Sequence, residues 1–84
     1  MDKYDKAENE LDNYPSRYKG AKLKAFRSLV NGHLTMWVGY GHPFTAQQEW
    51  SRHAKKFPKV NERANRLVTE TMRKYKITPY NWNS

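Results

Sequence analysis

The strongest periodic signal in the chain is the stretch PKVNERANRLVTETMRKY, residues 58–75. Pro58 suits the first position of a helix, because that position does not need the amide hydrogen that proline lacks. Apolar or weakly polar side chains then recur every three or four residues, which is the spacing of one helix face; they are Val60, Ala64, Leu67, Val68, Thr71, Met72 and Tyr75. We therefore expect a long amphipathic helix over residues 58–76.

The stretch before it, TAQQEWSRHAKKF at residues 45–57, predicts a second helix. Thr45 and Gln48 have the T-x-x-Q spacing of a capping box, in which the hydroxyl accepts from a free backbone amide at the helix start. Trp50, Ala54 and Phe57 share one face. Two adjoining helices fit either a plain helical hairpin or a helix-turn-helix, although the latter usually has three or four turn residues with a glycine.

The N-terminal half predicts two further helices. Residues 2–14 form an acidic segment with apolar side chains at helical spacing, and Pro15 ends it. Residues 17–31 form a basic segment, for which Asn31-Gly32 is a suitable left-handed stop. Its inward side chains are expected to be Leu23, Phe26, Leu29 and Val30.

Residues 33–44 are expected to form an aromatic and glycine-rich connector that ends in WVGYGHPF. Apolar side chains alternate from Leu34 to Tyr40 as in a strand, while Leu34, Trp37 and Val38 fit one turn of helix equally well. A strand would need a partner, and the extended tail of residues 77–84 is the only plausible one. A short two-stranded ribbon is therefore an alternative to a short helix or a packed loop.

The expected fold is a single, mostly α domain: a small compact bundle of four to five helices, with a helix-turn-helix-like pair and a two-stranded ribbon as options. Its 84 residues leave room for only one small core. The core is expected to contain Leu11, Leu23, Phe26, Leu29, Trp37, Trp50, Phe57, Leu67, Val68 and Met72.

The glycines of the connector do not form a known phosphate-binding loop. In a G-x-G-x-x-G fingerprint that began at Gly39, the third glycine would fall on Phe44, and no G-K-[ST] of a P-loop follows. A turn that leads into a helix is the simpler interpretation. The alternative is one phosphate held by free amides at the helix start near Thr45.

The net charge of +8 is unevenly distributed along the chain. Residues 1–12 hold two basic and five acidic side chains, a balance of 2 − 5 = −3, and the other 72 residues carry 14 − 3 = +11. Such a field attracts polyanions, of which nucleic acid is the commonest, with an acidic protein or a membrane surface next. The absence of cysteine and of a long apolar run suits a cytoplasmic protein.

No catalytic or metal-binding pattern is present in the sequence. The three histidines, His33, His42 and His53, lack metal-ligand spacing, and no thiolate accompanies them. No nucleophile with a neighbouring base can be assembled. We therefore expect a non-catalytic protein without a cofactor.

The candidate nucleic-acid contacts lie in the two C-terminal helices. Arg52, Lys55, Lys56 and Lys59 share the exposed side of the helix opposite Trp50, and of the eight acids only Glu49 lies within one turn. Polar side chains at the start of the last helix can make bidentate contacts to adenine or guanine; they are Asn61, Arg63, Asn65 and Arg66. On the same helix, Glu62 with Arg66 and Glu70 with Lys74 have the spacing of surface ion pairs.

The segment AENELDNYPSRYK, residues 7–19, resembles the N-terminal segment of phage late-gene transcriptional regulators of the RinA/ArpU type. The match is carried by Glu8, Glu10, Leu11, Tyr14, Pro15 and Lys19. It covers about 13 of the 84 residues, and beyond Gly20 the chain does not agree with the family's DNA-binding half. The resemblance implies a small DNA-associated regulator of a phage or other mobile element, and no functional residue is carried over.

The expected function is non-catalytic binding to duplex DNA, as a small transcriptional regulator. The stripe of cations would contact phosphates, and the start of the last helix would contact bases. The rival hypothesis is a protein-binding inhibitor or adaptor that docks on an acidic surface of a host protein with the same cations, Tyr40 and Trp82.

Overall fold

The computed structural model describes residues 2–39 and 44–81, apart from the side chain of Phe44. This part of the chain contains no strand and folds into four helices: α1 (Lys3–Asp12), α2 (Ala21–Val38), α3 (Phe44–Lys56) and α4 (Pro58–Lys74). The prediction of a small, mostly α bundle is confirmed. Met1, residues 40–43 and residues 82–84 lie outside the described part.

The second helix differs most from its prediction. It covers residues 21–38 instead of 17–31, because Gly20 has a left-handed φ of 61° and Asn31-Gly32 does not stop it. The helix ends at Gly39, whose φ of 80° and ψ of 20° are left-handed and whose amide donates to the Thr35 carbonyl. Residues 33–38 are thus the last turns of a helix, and the predicted connector is wrong over that range.

Gly32 lies inside α2 because the ring of Trp50 from α3 packs directly on its backbone. A Cβ atom at residue 32 would lie 2.7 to 2.9 Å from three atoms of the indole, closer than real Cβ contacts. Only glycine therefore permits this distance between the two helices. The sequence pattern predicted that Gly32 ends the helix. In the structure, Gly32 instead lies inside the helix and contacts an aromatic ring.

The core lies where α1, α2 and α4 meet. Phe26, Leu11, Met72 and Val68 are its largest fully buried side chains, and Leu29 and Leu67 join them as predicted. Trp37, Trp50 and Phe57 pack against this core but are only partly buried. Leu23 is half-buried and outside the core cluster, so its assignment to the core is wrong.

The C-terminal segment after α4 packs on the end of α2. Ile77 is buried, and its carbonyl accepts a 3.1 Å hydrogen bond from Nε1 of Trp37. The amide of Tyr80 donates to the Trp37 carbonyl at 2.8 Å, and the Tyr80 ring lies against Gly39. The tail thus contacts Trp37 and Gly39 at the end of a helix, and no two-stranded ribbon forms among the described residues.

The α3 and α4 helices are joined by Phe57 alone. Its amide donates to the His53 carbonyl of α3, and its carbonyl accepts from the Asn61 amide of α4. This joint has no three- or four-residue turn, so the pair lacks the connection that a helix-turn-helix usually has. The start of α3 also differs from the prediction, since the helix begins at Phe44 and places Thr45 in its first turn instead of at the cap.

One ion pair connects the acidic helix to the end of α4. The Lys74 ammonium lies 2.7 Å from Oε1 of Glu10. This hydrogen bond holds the pKa of Glu10 below its ordinary value of 4.5, and the carboxylate raises the pKa of Lys74 above 10.5. The expected pair of Glu70 with Lys74 is wrong, because Lys74 contacts α1 instead.

Gly32→Ala should lower stability. Changing an exposed glycine inside a helix to alanine normally raises the free energy of unfolding by about 1 kcal/mol. Here the new methyl group would clash with the indole, which lowers that free energy by about 1 to 3 kcal/mol. Thermal melts should show a lower Tm for Gly32→Ala and an unchanged or slightly higher Tm for Asn31→Ala, an exposed neighbour in the same helix. In a Trp50→Leu background the Gly32→Ala penalty should disappear; a Gly32→Ala variant more stable than the parent would contradict the packing.

The Glu10–Lys74 pair should make stability depend on pH at both ends. Because the pKa of Glu10 is lowered by folding, its contribution is present above 4.5 and is lost as the pH falls through the folded value. Because the pKa of Lys74 is raised, its contribution is lost above 10.5. The Tm difference between the parent and Glu10→Gln should therefore shrink toward pH 3 and toward pH 11, while Glu70→Gln shows no such profile. A difference that stays constant from pH 3 to pH 11 would argue against the pair.

Candidate nucleic-acid interface

The basic stripe, defined as Arg52, Lys55, Lys56 and Lys59, is exposed as predicted. The opposite face of α3 packs on the core through Trp50 and Ala54, with Phe57 just beyond the helix. These contacts fix which side of α3 points to solvent. Three cations of the stripe are therefore held on a helix that cannot rotate to bury them. Lys59 lies in the first turn of α4 instead, so its expected place on the same helix as the other three is wrong.

None of the four cations of the basic stripe makes a hydrogen bond or an ion pair with a described residue. Glu49, the acid that precedes the stripe on α3, instead approaches Nε2 of His53 at 3.4 Å. Glu62, three residues after Lys59 on α4, forms no ion pair with it. Lys56 has its ammonium 5.5 Å from the centre of the Phe57 ring, a contact that leaves the charge available. The positive charge of the stripe is thus not neutralised within the described part of the molecule.

Polar side chains flank these cations along a shallow groove of about 530 Å³. Besides Arg52, Lys55 and Lys56, the groove is lined by Gln47, Gln48 and Ser51. Side-chain amides and hydroxyls, like cations, donate hydrogen bonds to phosphate oxygens. The sequence interpretation missed these three residues, although Gln48 and Ser51 each lie four residues before a cation, and Gln47 lies four residues before Ser51.

Asn61 does not point outward from α4. Its Oδ1 lies 2.8 Å from Nε2 of His33 in α2, in a part-buried position. The same region holds Trp50 and Ala54, so Asn61 is on the side of α4 that faces α2 and α3. The side chain therefore completes a helix contact, and it is not free to read a base as predicted.

Arg63 also makes a side-chain hydrogen bond, on the other flank of α4. Its Nη2 donates a 2.8 Å hydrogen bond to the hydroxyl of Tyr14, which follows α1. At 100° per residue, Asn61 and Arg63 point about 160° apart around the helix axis. One DNA groove cannot contact both side chains at once, so the predicted set of base contacts does not form one surface.

Asn65 and Arg66 are exposed, and neither makes a hydrogen bond or an ion pair with a described residue. Arg66 shares the outward face of α4 with Glu62, Glu70 and Arg73, which makes that face mixed in charge. Glu62 and Arg66 form no ion pair, contrary to the helical spacing. The eight predicted site residues therefore form three groups. Four make up the basic stripe, two are hydrogen-bonded to other helices or to the segment after α1, and two lie on an outer face that carries both acids and bases.

The described residues contain no group of three side chains that could hold a metal ion. His33 and His53 face Asn61 and Glu49, respectively, and His42 lies outside the described part. No described helix is long and apolar enough to cross a membrane.

Comparisons with protein-family models, with curated proteins and with solved structures find no match to this chain. The resemblance of residues 7–19 to phage regulators therefore stays a prediction.

Alanine variants of Asn61 and Asn65 allow a part-buried, hydrogen-bonded asparagine to be compared with an exposed one on the same helix. Asn61→Ala should lower the free energy of unfolding by about 1 kcal/mol, because a part-buried hydrogen bond to His33 is lost. Asn65→Ala should change it by less than about 0.5 kcal/mol, as is usual at exposed positions. Urea denaturation of both variants measures the difference. Equal unfolding midpoints would mean that the His33 contact contributes nothing to stability.

Proposed function

We propose that this protein is a non-catalytic binder of duplex DNA that contacts phosphates through the basic stripe. The observation that carries the proposal is a row of exposed cations that no described acid neutralises. Three of them lie on α3, whose other face is fixed to the core, and Lys59 lies at the start of α4. Neutralising phosphates with such cations releases condensed counterions and supplies affinity that does not depend on sequence.

The proposed contacts are with phosphates more than with bases. Asn61 and Arg63 are bonded to His33 and Tyr14 on opposite flanks of α4. That leaves Asn65 and Arg66 as free polar groups, on a face shared with two glutamates that repel a polyanion. We therefore expect a protein that discriminates weakly between sequences.

A role as a small transcriptional regulator of a phage or other mobile element is a narrower proposal. It rests on the resemblance of residues 7–19 together with the basic stripe. Weak sequence discrimination by one copy would then have to be supplemented by a partner or by DNA structure at the regulated site.

The test compares two triple variants that remove the same charge from two places. Arg52→Ala/Lys55→Ala/Lys56→Ala removes three cations of the stripe, and Lys19→Ala/Lys22→Ala/Lys24→Ala removes three exposed cations around the start of α2. Titrations of a labelled duplex at 50 to 200 mM salt give the slope of log K against log salt. The first variant should have a slope shallower by about 2.7, at about 0.9 per lost phosphate contact, and the second should stay close to the parent.

Two outcomes would overturn this assignment. If both variants lose affinity and slope equally, net charge alone attracts the DNA and the stripe has no special role. If the parent does not bind a duplex at 50 mM salt but binds one acidic protein in a one-to-one complex, the rival function as an inhibitor or adaptor is correct. The residues named for that rival, Tyr40 and Trp82, lie outside the described part.

A further inference from the structure

A second cationic site lies on the other side of the molecule, where the chain passes from α1 to α2. The extended segment after α1 and one residue of α4 enclose a pocket of about 420 Å³. It is lined by Tyr14, Pro15, Ser16, Arg17, Tyr18, Phe26 and Arg63. Its volume lies within the range of small-molecule sites, which is roughly 300 to 1,000 Å³.

Two guanidinium groups supply the charge of this pocket, and none of its described lining residues carries a carboxylate. Arg63 donates to the Tyr14 hydroxyl at 2.8 Å, which holds one arm of its fork and leaves its other donors free. Arg17 makes no hydrogen bond or ion pair with a described residue. Two unneutralised guanidiniums on facing elements suit a phosphate group, which each of them can bind through two parallel hydrogen bonds.

Aromatic rings form the rest of the wall. The rings of Tyr14 and Tyr18 lie 6.1 and 5.3 Å from Phe26, tilted by 41° and 53°. Beside them, the Ser16 hydroxyl accepts from the Tyr18 amide at 3.2 Å, so its hydrogen stays available to an anion. The pocket thus combines flat apolar surfaces with several donors, and it is much larger than an inorganic phosphate alone requires.

We propose that this pocket binds a nucleotide unit, that is, a phosphate monoester attached to a planar ring. Arg17 and Arg63 hold the phosphate, and the Tyr14 and Tyr18 rings contact the base. The unit is either a free mononucleotide or the phosphorylated end of a nucleic-acid strand. The proposal does not depend on the basic stripe, because α1 and α3 lie on separate sides of the α2 and α4 pair and do not contact each other.

Amide NMR spectra recorded with deoxyadenosine 5′-monophosphate, deoxyadenosine and inorganic phosphate test the proposal. The nucleotide should shift the resonances of Tyr14 to Tyr18 and of Arg63 in a saturable way, and each of the other two probes should bind at least tenfold more weakly. Arg17→Gln and Arg63→Gln should each raise the nucleotide Kd about tenfold, since each removes a charge-assisted contact. Arg73→Gln removes the same charge from an exposed position of α4 outside both proposed sites and should leave the Kd unchanged.

A short single strand with a 5′-phosphate, compared with the same strand ending in a hydroxyl, identifies the source of the nucleotide. Tighter binding of the phosphorylated strand than of the mononucleotide assigns the pocket to strand ends, and equal binding assigns it to free nucleotides. The proposal is overturned if no pocket resonance shifts at millimolar nucleotide. It is also overturned if Arg73→Gln raises the Kd as much as Arg63→Gln, because binding would then follow net charge. Circular dichroism of each variant confirms that it is folded.

Discussion

The contact between the Trp50 ring and the backbone of Gly32 determines how α3 is attached to the rest of the molecule. The core side of α3 consists of partly buried side chains, so this helix is held by few large contacts. A ring seated on a glycine brings the two helices close and fixes the rotation of α3 about its axis. The exposure of the basic stripe follows from that rotation, because the stripe lies on the face opposite Trp50.

The other helices are held in a different way. The α1, α2 and α4 helices are held together by four fully buried side chains: Phe26, Leu11, Met72 and Val68. Alanines without exposed surface, Ala7, Ala25 and Ala64, let the backbones approach closely there. The tail then closes the end of α2 through two hydrogen bonds with Trp37. The α3 helix is thus the element with the smallest share of the core, and also the one that carries the proposed DNA contacts.

Helical periodicity predicted the existence of all four helices, and six of the ten residues that it assigned to the core are buried. It failed where one side chain decided the outcome. Asn31-Gly32 has the composition of a helix stop, but only the distant Trp50 shows that the glycine serves close packing. The basic stripe was predictable because exposure follows from the period alone. The hydrogen bonds of Asn61 and Arg63 could not be predicted in this way, because their partners, His33 and Tyr14, are 28 and 49 residues away in the chain.

The placement of the acidic helix bears on how a duplex would approach. Residues 1–12 carry a local charge of 2 − 5 = −3, and α1 does not contact α3. The acids of α1 therefore do not neutralise the basic stripe, and they weaken the attraction of a duplex to their own part of the surface. If the protein binds DNA as proposed, this separation of charge would orient it with α3 toward the duplex. Since repulsion between charges falls off within about 8 Å at physiological salt, this orienting effect should be strongest at low ionic strength, where the counterion-release term is also largest.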